Sequence, residues 1–175
     1  MTRREFLLGL AAVAMLPQKA EARYAGPEAV DFETPERPGT LIVDTSQRAL
    51  FHVLGYGMAT RYGVAVGKEG HDWAGIAKVG RKVAWPRWTP PASMIRRKPE
   101  LAEWADGMPG GPENPLGARA LYLYANGKDT LFRIHGTNEP QSIGRAASSG
   151  CIRMLNRDIT DLYAQTPIGT KVIVL

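Results

Sequence analysis

Cysteine is almost missing from this chain. A single residue, Cys151, excludes an internal disulfide, so the fold must rest on its own packing. Histidine is scarce too. His52, His71 and His135 are scattered, without the ligand spacing of a zinc site, and no metal or cofactor is expected. Long apolar runs are also lacking. The stretch Phe6–Leu16 has eleven residues, short of the about 20 that cross a bilayer as a helix. Basic residues outnumber acidic ones, 22 to 17, but only Arg96-Arg97-Lys98 cluster. Without a basic stripe and interleaved aromatics, nucleic acid is excluded as a partner. A mild, dispersed positive charge suits an anionic polymer better.

Much of what is present points to a small exported β domain. Hydrophobic residues make up 44% of the chain, enough for a core. Arg3-Arg4, the apolar run and Ala20-Glu21-Ala22 follow the order of a secretory signal with a small-residue cleavage site, and the paired arginines give residues 1–22 a twin-arginine character. A general secretory signal is the alternative. Either predicts export, with a periplasmic location for the first. No stable membrane span remains after signal cleavage.

Residues 23–38, rich in Pro and Glu, read as a leader segment. Leu41–Val43 and Ala49–Leu54 flank a polar turn and predict a hairpin. Ala59–Val66 predicts a strand between glycines. Ala118–Tyr124 and Thr130–His135 flank Asn126-Gly127, a strong hairpin dipeptide. Lys171–Leu175 predicts a last strand. Helix signals are few. Asn156 reads as the cap of a helix over Arg157–Tyr163, and Pro99 opens a short one through Trp104. The segment 107–117, rich in Gly and Pro, reads as a loop with the composition of a lid. The pattern predicts a mainly β fold, a sandwich or barrel, with one or two short helices.

Cys151 lies in Ser148-Ser149-Gly150-Cys151-Ile152-Arg153-Met154, sixteen residues after His135. A thiol there could attack an acyl carbon, with His135 as base and N–H groups near Gly150 and Cys151 as oxyanion donors. Arg153 could hold a substrate carboxylate. From residue types alone, an inert buried thiol is the commoner reading of a lone cysteine in a β protein. His52 reads as a core or hairpin residue and His71 as exposed. Trp73, Trp85, Trp88 and Trp104 could line a groove or simply pack.

Residues 39–175 resemble the L,D-transpeptidase catalytic domain, the YkuD type. The likeness rests on Ile134-His135-Gly136-Thr137, the Ser148–Met154 block, Trp85-Pro86-Arg87-Trp88-Thr89-Pro90-Pro91 and Asn114-Pro115-Leu116-Gly117. The resemblance implies a β-sandwich whose Cys151 forms a thioester with a peptidoglycan stem tetrapeptide at the L-centre of its third, diamino residue. Terminal D-alanine leaves, and an amine acceptor resolves the thioester into a 3→3 cross-link or an attached envelope protein. It implies His135 as base, oriented by the Gly136 carbonyl, and Arg153 as the motif arginine. Ser148, Ser149 and Gly150 would border the substrate, with Tyr122 and Trp88 on the groove wall. Many members carry histidine where this chain has Ser149. Acylation of Cys151 by carbapenems is also implied. Three other readings compete: an L,D-carboxypeptidase using water, a non-catalytic wall-binding module, and a redox sensor, which would need an intermolecular partner for its one thiol.

Overall fold

The computed structural model describes residues 24–68, 70 and 73–175. The signal expected at 1–22 and His71 lie outside these. In chain order the described residues form β1 (Glu28–Asp31), β2 (Leu41–Asp44), β3 (Ala49–Gly55), β4 (Met58–Gly63), β5 (Val66–Gly67), β6 (Gly75–Ala84), α1 (Ala92–Arg97), β7 (Arg119–Ala125), β8 (Lys128–His135), β9 (Ala146–Ser148), β10 (Ile152–Arg153), α2 (Asn156–Gln165) and β11 (Lys171–Val174). Nine strands make one sheet in the order β1-β4-β3-β2-β11-β6-β7-β8-β10, and β5 pairs with β9. Just beyond β4, Ala65 exchanges two backbone hydrogen bonds with Arg153 of β10, at 2.8 and 2.9 Å. The two ends of the strand order are thereby brought back together, and the sheet folds over itself as a sandwich. One apolar cluster fills it. Leu41, Leu50, Val79, Leu121, Ile134 and Ile152 come from six different strands, and α2 adds Ile159 and Leu162.

The hairpins form for local reasons. Asn126 and Gly127 both have positive φ, 50° and 75°, as the tightest two-residue turns require. At the first hairpin Asp44 accepts from the Ser46 hydroxyl at 2.6 Å and from the Gln47 N–H at 2.9 Å. That carboxylate supplies acceptors that the turn backbone lacks.

Four differences from the sequence reading stand out. Strand β6, ten residues long, has no clear alternation: only Ala77 and Val79 are buried, among glycines and basic residues. The described part of the 23–38 segment is built into the domain rather than merely leading to it. Its β1 pairs with β4, and Phe32 stacks on Phe51 with centroids 4.4 Å apart. Asn156 does not cap α2. It is the first helical residue, Leu155 holds the capping position, and the Asn156 side chain turns away to another task. Pro99–Trp104 forms a 3-10 helix, preceded by α1, which carries no strong sequence signal.

Candidate active site

The pleat decides which side chains meet. Leu121, Leu123, Ile134 and Ile152 point into the core. Their alternating neighbours Tyr122, Arg133, His135, Cys151 and Arg153 therefore share the opposite face. In the β7–β8 ladder Ala120 pairs with His135 and Tyr122 with Arg133. In the β8–β10 ladder Ile134 pairs with Ile152 and His135 with Arg153. Cys151 thus comes level with Arg133, and His135 stands one strand away, two residues along. The candidate nucleophile and base are diagonal neighbours on one sheet face.

A bulge in β8 shapes the thiol's surroundings. Between Arg133 and Asp129 three residues of β8 oppose the single residue Leu123 of β7. Leu131 adopts a φ of 65° and leaves its side chain 76% exposed. The distortion is held from within. Asp129 accepts from the Leu131 N–H at 2.8 Å and takes both Arg133 guanidinium nitrogens, at 2.7 and 3.0 Å. The Thr130 hydroxyl donates to the Leu123 carbonyl at 2.7 Å and accepts from the Phe132 N–H at 3.2 Å. The result points the Leu131 carbonyl at Cys151 Sγ, 3.9 Å away. Bulges beside active sites commonly re-aim groups in this way.

His135 is buried, 4% exposed. Its Nδ1 lies 2.6 Å from the Gly136 carbonyl oxygen. A carbonyl only accepts, so the ring carries its proton on Nδ1 and presents a bare Nε2. The carbonyl is itself held. Asn156 Oδ1 accepts from the Ala118 N–H at 3.0 Å and the Thr137 N–H at 3.1 Å, while Nδ2 donates to the Thr137 carbonyl at 3.0 Å. A Cβ at Gly117 or Gly136 would run into Asn156 Oδ1, which explains two glycines here. Gly117, at φ 62°, is also in the left-handed region. Sequence reasoning missed Asn156 because a helix-start asparagine is usually a cap.

Ser148 is 3% exposed and its hydroxyl is used internally, donating to the Cys151 carbonyl at 2.6 Å and accepting from the Gly150 N–H at 3.1 Å. It braces the turn that presents the thiol. Gly150, at φ 122°, allows that turn. Ser149 is exposed. Arg153 donates to Glu139 at 2.6 Å, which ties β10 to the segment after Thr137. Tyr122 lies on the same face in the row of Cys151. Trp88 is half-buried in the loop after β6, where its backbone pairs with Met108. That loop is cross-braced rather than loose. Asn114, fully buried, donates to the carbonyls of Pro86, Met108 and Pro109 at 2.9 to 3.3 Å and accepts from the Leu116 N–H at 2.8 Å. Asn114 is the second asparagine whose structural task residue type alone did not disclose.

Burial sets the protonation states. It pushes His135 down from 6.5 to about 4, with Arg153 and Arg133 adding to the fall and the Gly136 carbonyl opposing it. Burial pushes the Cys151 thiol up, against the Arg133 N–H and the charges of Arg133 and Arg153. At neutral pH the resting pair is a thiol and a neutral imidazole. Among the described residues no cluster of three or more His, Cys, Asp or Glu could hold a metal, and no helix is long and apolar enough to cross a membrane. A cavity of about 1150 Å³ lies beyond Asn156, lined by Thr137, Pro140, Ile143 and Arg145. Neither Cys151 nor His135 lines it.

Comparison with known proteins gives this geometry a context. The family profile described as L,D-transpeptidase catalytic domain (YkuD) matches residues 38–174. The chain is 35% identical over 139 residues to "Probable L,D-transpeptidase YbiS" of Escherichia coli K12, covering 77% of this chain and 43% of that protein. It thus spans under half the length of that relative. A solved structure titled "Probable carnitine operon oxidoreductase caia" from Brucella melitensis is 48% identical, with a TM-score of 0.58, covering 85% of this chain and 92% of that one. An L,D-transpeptidase from Mycobacterium smegmatis shares the fold at 16% identity and a TM-score of 0.58, over 78% of this chain and 58% of that one.

Proposed function

The chain belongs to the L,D-transpeptidase catalytic domain family, and from that premise we propose that it is a cysteine acyltransferase that exchanges amides on peptidoglycan stem peptides. The observation that carries the reading is that its one thiol and a buried imidazole, whose Nδ1 is bound by Gly136, are diagonal neighbours on one sheet face. Donor binding brings the L-centre carbonyl of a tetrapeptide's third residue to Cys151. Sγ bonds to that carbon as its proton passes to His135 Nε2. Because the resting thiol is protonated, bond formation and proton transfer are coupled rather than preceded by a stored thiolate. The Gly150 N–H is engaged by Ser148, so the Cys151 N–H serves the oxyanion. Collapse breaks the carbon–nitrogen bond, and D-alanine leaves with the proton from His135. An acceptor amine then attacks the thioester, gives its proton to His135, and releases Cys151. A stem-peptide amine yields a 3→3 cross-link, and an envelope protein's amine yields an anchored protein.

One Arg153 nitrogen holds Glu139, so the residue positions the segment after Thr137 while its other N–H donors serve a substrate carboxylate in this reading. Tyr122, Trp88 and Ser149 complete the groove in this reading. An exported, periplasmic enzyme is consistent with the twin-arginine character of residues 1–22. The oxidoreductase title of the Brucella melitensis protein does not redirect the reading: these 175 residues hold no second cysteine for an internal dithiol cycle.

The test is intact mass and product analysis after incubation with a disaccharide-tetrapeptide. A donor adduct mapped to Cys151, released D-alanine and a cross-linked dimer are expected, all lost in Cys151→Ala. Tripeptide as the sole product would make the protein a carboxypeptidase. A folded protein giving neither adduct nor turnover would overturn the proposal.

A further inference from the structure

Tyr24 belongs to neither apolar cluster, yet its hydroxyl oxygen is buried. Its ring covers Gly63 at the end of β4, where a Cβ would stand 2.7 Å from the ring. Gly63 has no positive φ, so its backbone does not demand a glycine. The ring does.

The same side chain also meets α2. Its hydroxyl faces the Asp158 carboxyl, and burial first and that carboxyl second push the Tyr24 pKa up. Asp158 is itself 1% exposed. Neither Tyr24 Oη nor Asp158 Oδ2 completes a hydrogen bond, so the packed ring carries this contact. The next residue adds a bond, since Arg157 Nη2 donates to the Ala25 carbonyl at 2.7 Å. Arg157 Nε donates in turn to Asp158 Oδ1 at 3.3 Å. Tyr24 and Ala25 are thus strapped to the first turn of α2, with Tyr24 wedged between that turn and β4.

That turn needs an outside hold. Leu155, at the capping position, supplies no side-chain acceptor, and helix ends without one leave N–H groups unsatisfied and fray. The apolar anchors Ile159 and Leu162 come only later in the helix. The residue before Arg157 is Asn156, whose amide grips Ala118 and Thr137 on either side of Gly136. Tyr24, Thr137, Asn156 and Arg157 line the cavity of about 1150 Å³ together. Release of the strap would therefore loosen the clamp and open it to water from that cavity.

We propose that Tyr24 is a positioning residue for the base: it wedges the first turn of α2 against β4 and so keeps Asn156, the Gly136 carbonyl and the His135 ring in line. Its effect on the rate rests on the transpeptidase reading, and its effect on the ring does not.

The unsubstituted protein is compared with Tyr24→Ala, Tyr24→Phe and Gly63→Ala by proton NMR, melting and turnover of a disaccharide-tetrapeptide. Tyr24→Ala removes no member of either apolar cluster, so the sandwich still folds. His135 Nδ1–H, buried and bonded to the Gly136 carbonyl, gives a downfield resonance protected from water. Tyr24→Ala should speed its exchange about 10-fold relative to the amide protons of β2, which a global loss of stability would speed equally. It should lower kcat about 10-fold, with KM changed less than about 2-fold. Tyr24→Phe keeps the ring and should stay within about 2-fold on each measure. Gly63→Ala expels the ring from the other side and should copy Tyr24→Ala. Added to Tyr24→Ala, it should cost less than about 2-fold more. Faster His135 exchange in Tyr24→Ala, with no turnover even by the unsubstituted protein, would sink the transpeptidase reading and keep this one. A Tyr24→Ala protein that melts earlier but keeps kcat, with His135 and β2 exchange speeded equally, would overturn it. So would a Gly63→Ala protein that matches the unsubstituted one.

Discussion

Asn156→Ala should damage the protein twice, in stability and in base orientation, and the two effects can be told apart. The side chain serves two N–H groups and one carbonyl at 3.0 to 3.1 Å. Truncation strands all three in a region where Gly136, Thr137 and Ala118 are buried. Each lost hydrogen bond costs about 1 kcal/mol net, and more where its partner finds no water, so the sum is about 2–4 kcal/mol. For a domain of this size that lowers Tm by roughly 5–15 °C. The second effect acts through Gly136. Its carbonyl fixes the imidazole, and its position depends on the Asn156 clamp at the next residue. A displacement of about 1 Å costs on the order of 100-fold in rate. The assay is kcat measured well below the variant's Tm, with Val53→Ala as a comparably destabilised control, Val53 being packed with Ile42, Phe51 and Ala59 in an apolar cluster separate from the one that fills the sandwich. Val53→Ala should lower Tm and spare kcat, whereas Asn156→Ala should lower both. A rate within 2-fold of the unsubstituted protein would refute the orientation argument, and an unchanged Tm would refute the hydrogen-bond argument.

Two further predictions concern charge. His135 binds a proton less tightly folded than unfolded, because its pKa falls from 6.5 to about 4. Its stabilising contribution is therefore whole above about pH 6.5 and is lost as pH falls through 4, a change of roughly 3 kcal/mol. Urea midpoints from pH 7.5 to 4 should show it, and His135→Gln should flatten the curve; an unflattened curve would contradict the assignment. The acid limb of kcat/KM should likewise lie near pH 4 rather than 6.5. Asp129 raises the thiol pKa, so Asp129→Asn should shift the pH–rate curve for iodoacetamide alkylation of Cys151 downward. An upward shift would contradict the placement of that charge.

The parts legible in the sequence are those encoded locally. Asn126-Gly127 announces its hairpin, and the alternation of Leu121, Leu123 and Ile134 announces the face they bury. His135 and Cys151 drew attention because nucleophile and base residue types are scarce in this chain. What stayed hidden depends on partners distant in sequence. Asn156 bonds residues 19 and 38 positions away, and no local pattern separates that from capping. The β8 bulge has no glycine at its left-handed position, Leu131, so the usual mark of a break is missing. Strand β6 lost its periodicity to the register shift between Val79 and Arg81. The tie between Arg153 and Glu139 was hidden as well, because the two residues lie fourteen positions apart on different segments.

The place of β11 has a consequence for how the molecule is made. It lies between β2, which it joins in parallel, and β6, which it joins antiparallel. A ribosome reading this chain has therefore synthesised both halves of the sheet before it makes the strand that unites them. Until then each half carries an open inner edge facing the other, and neither can close over the shared interior. The continuous nine-strand sheet can therefore form only once residues 171–174 have left the ribosome.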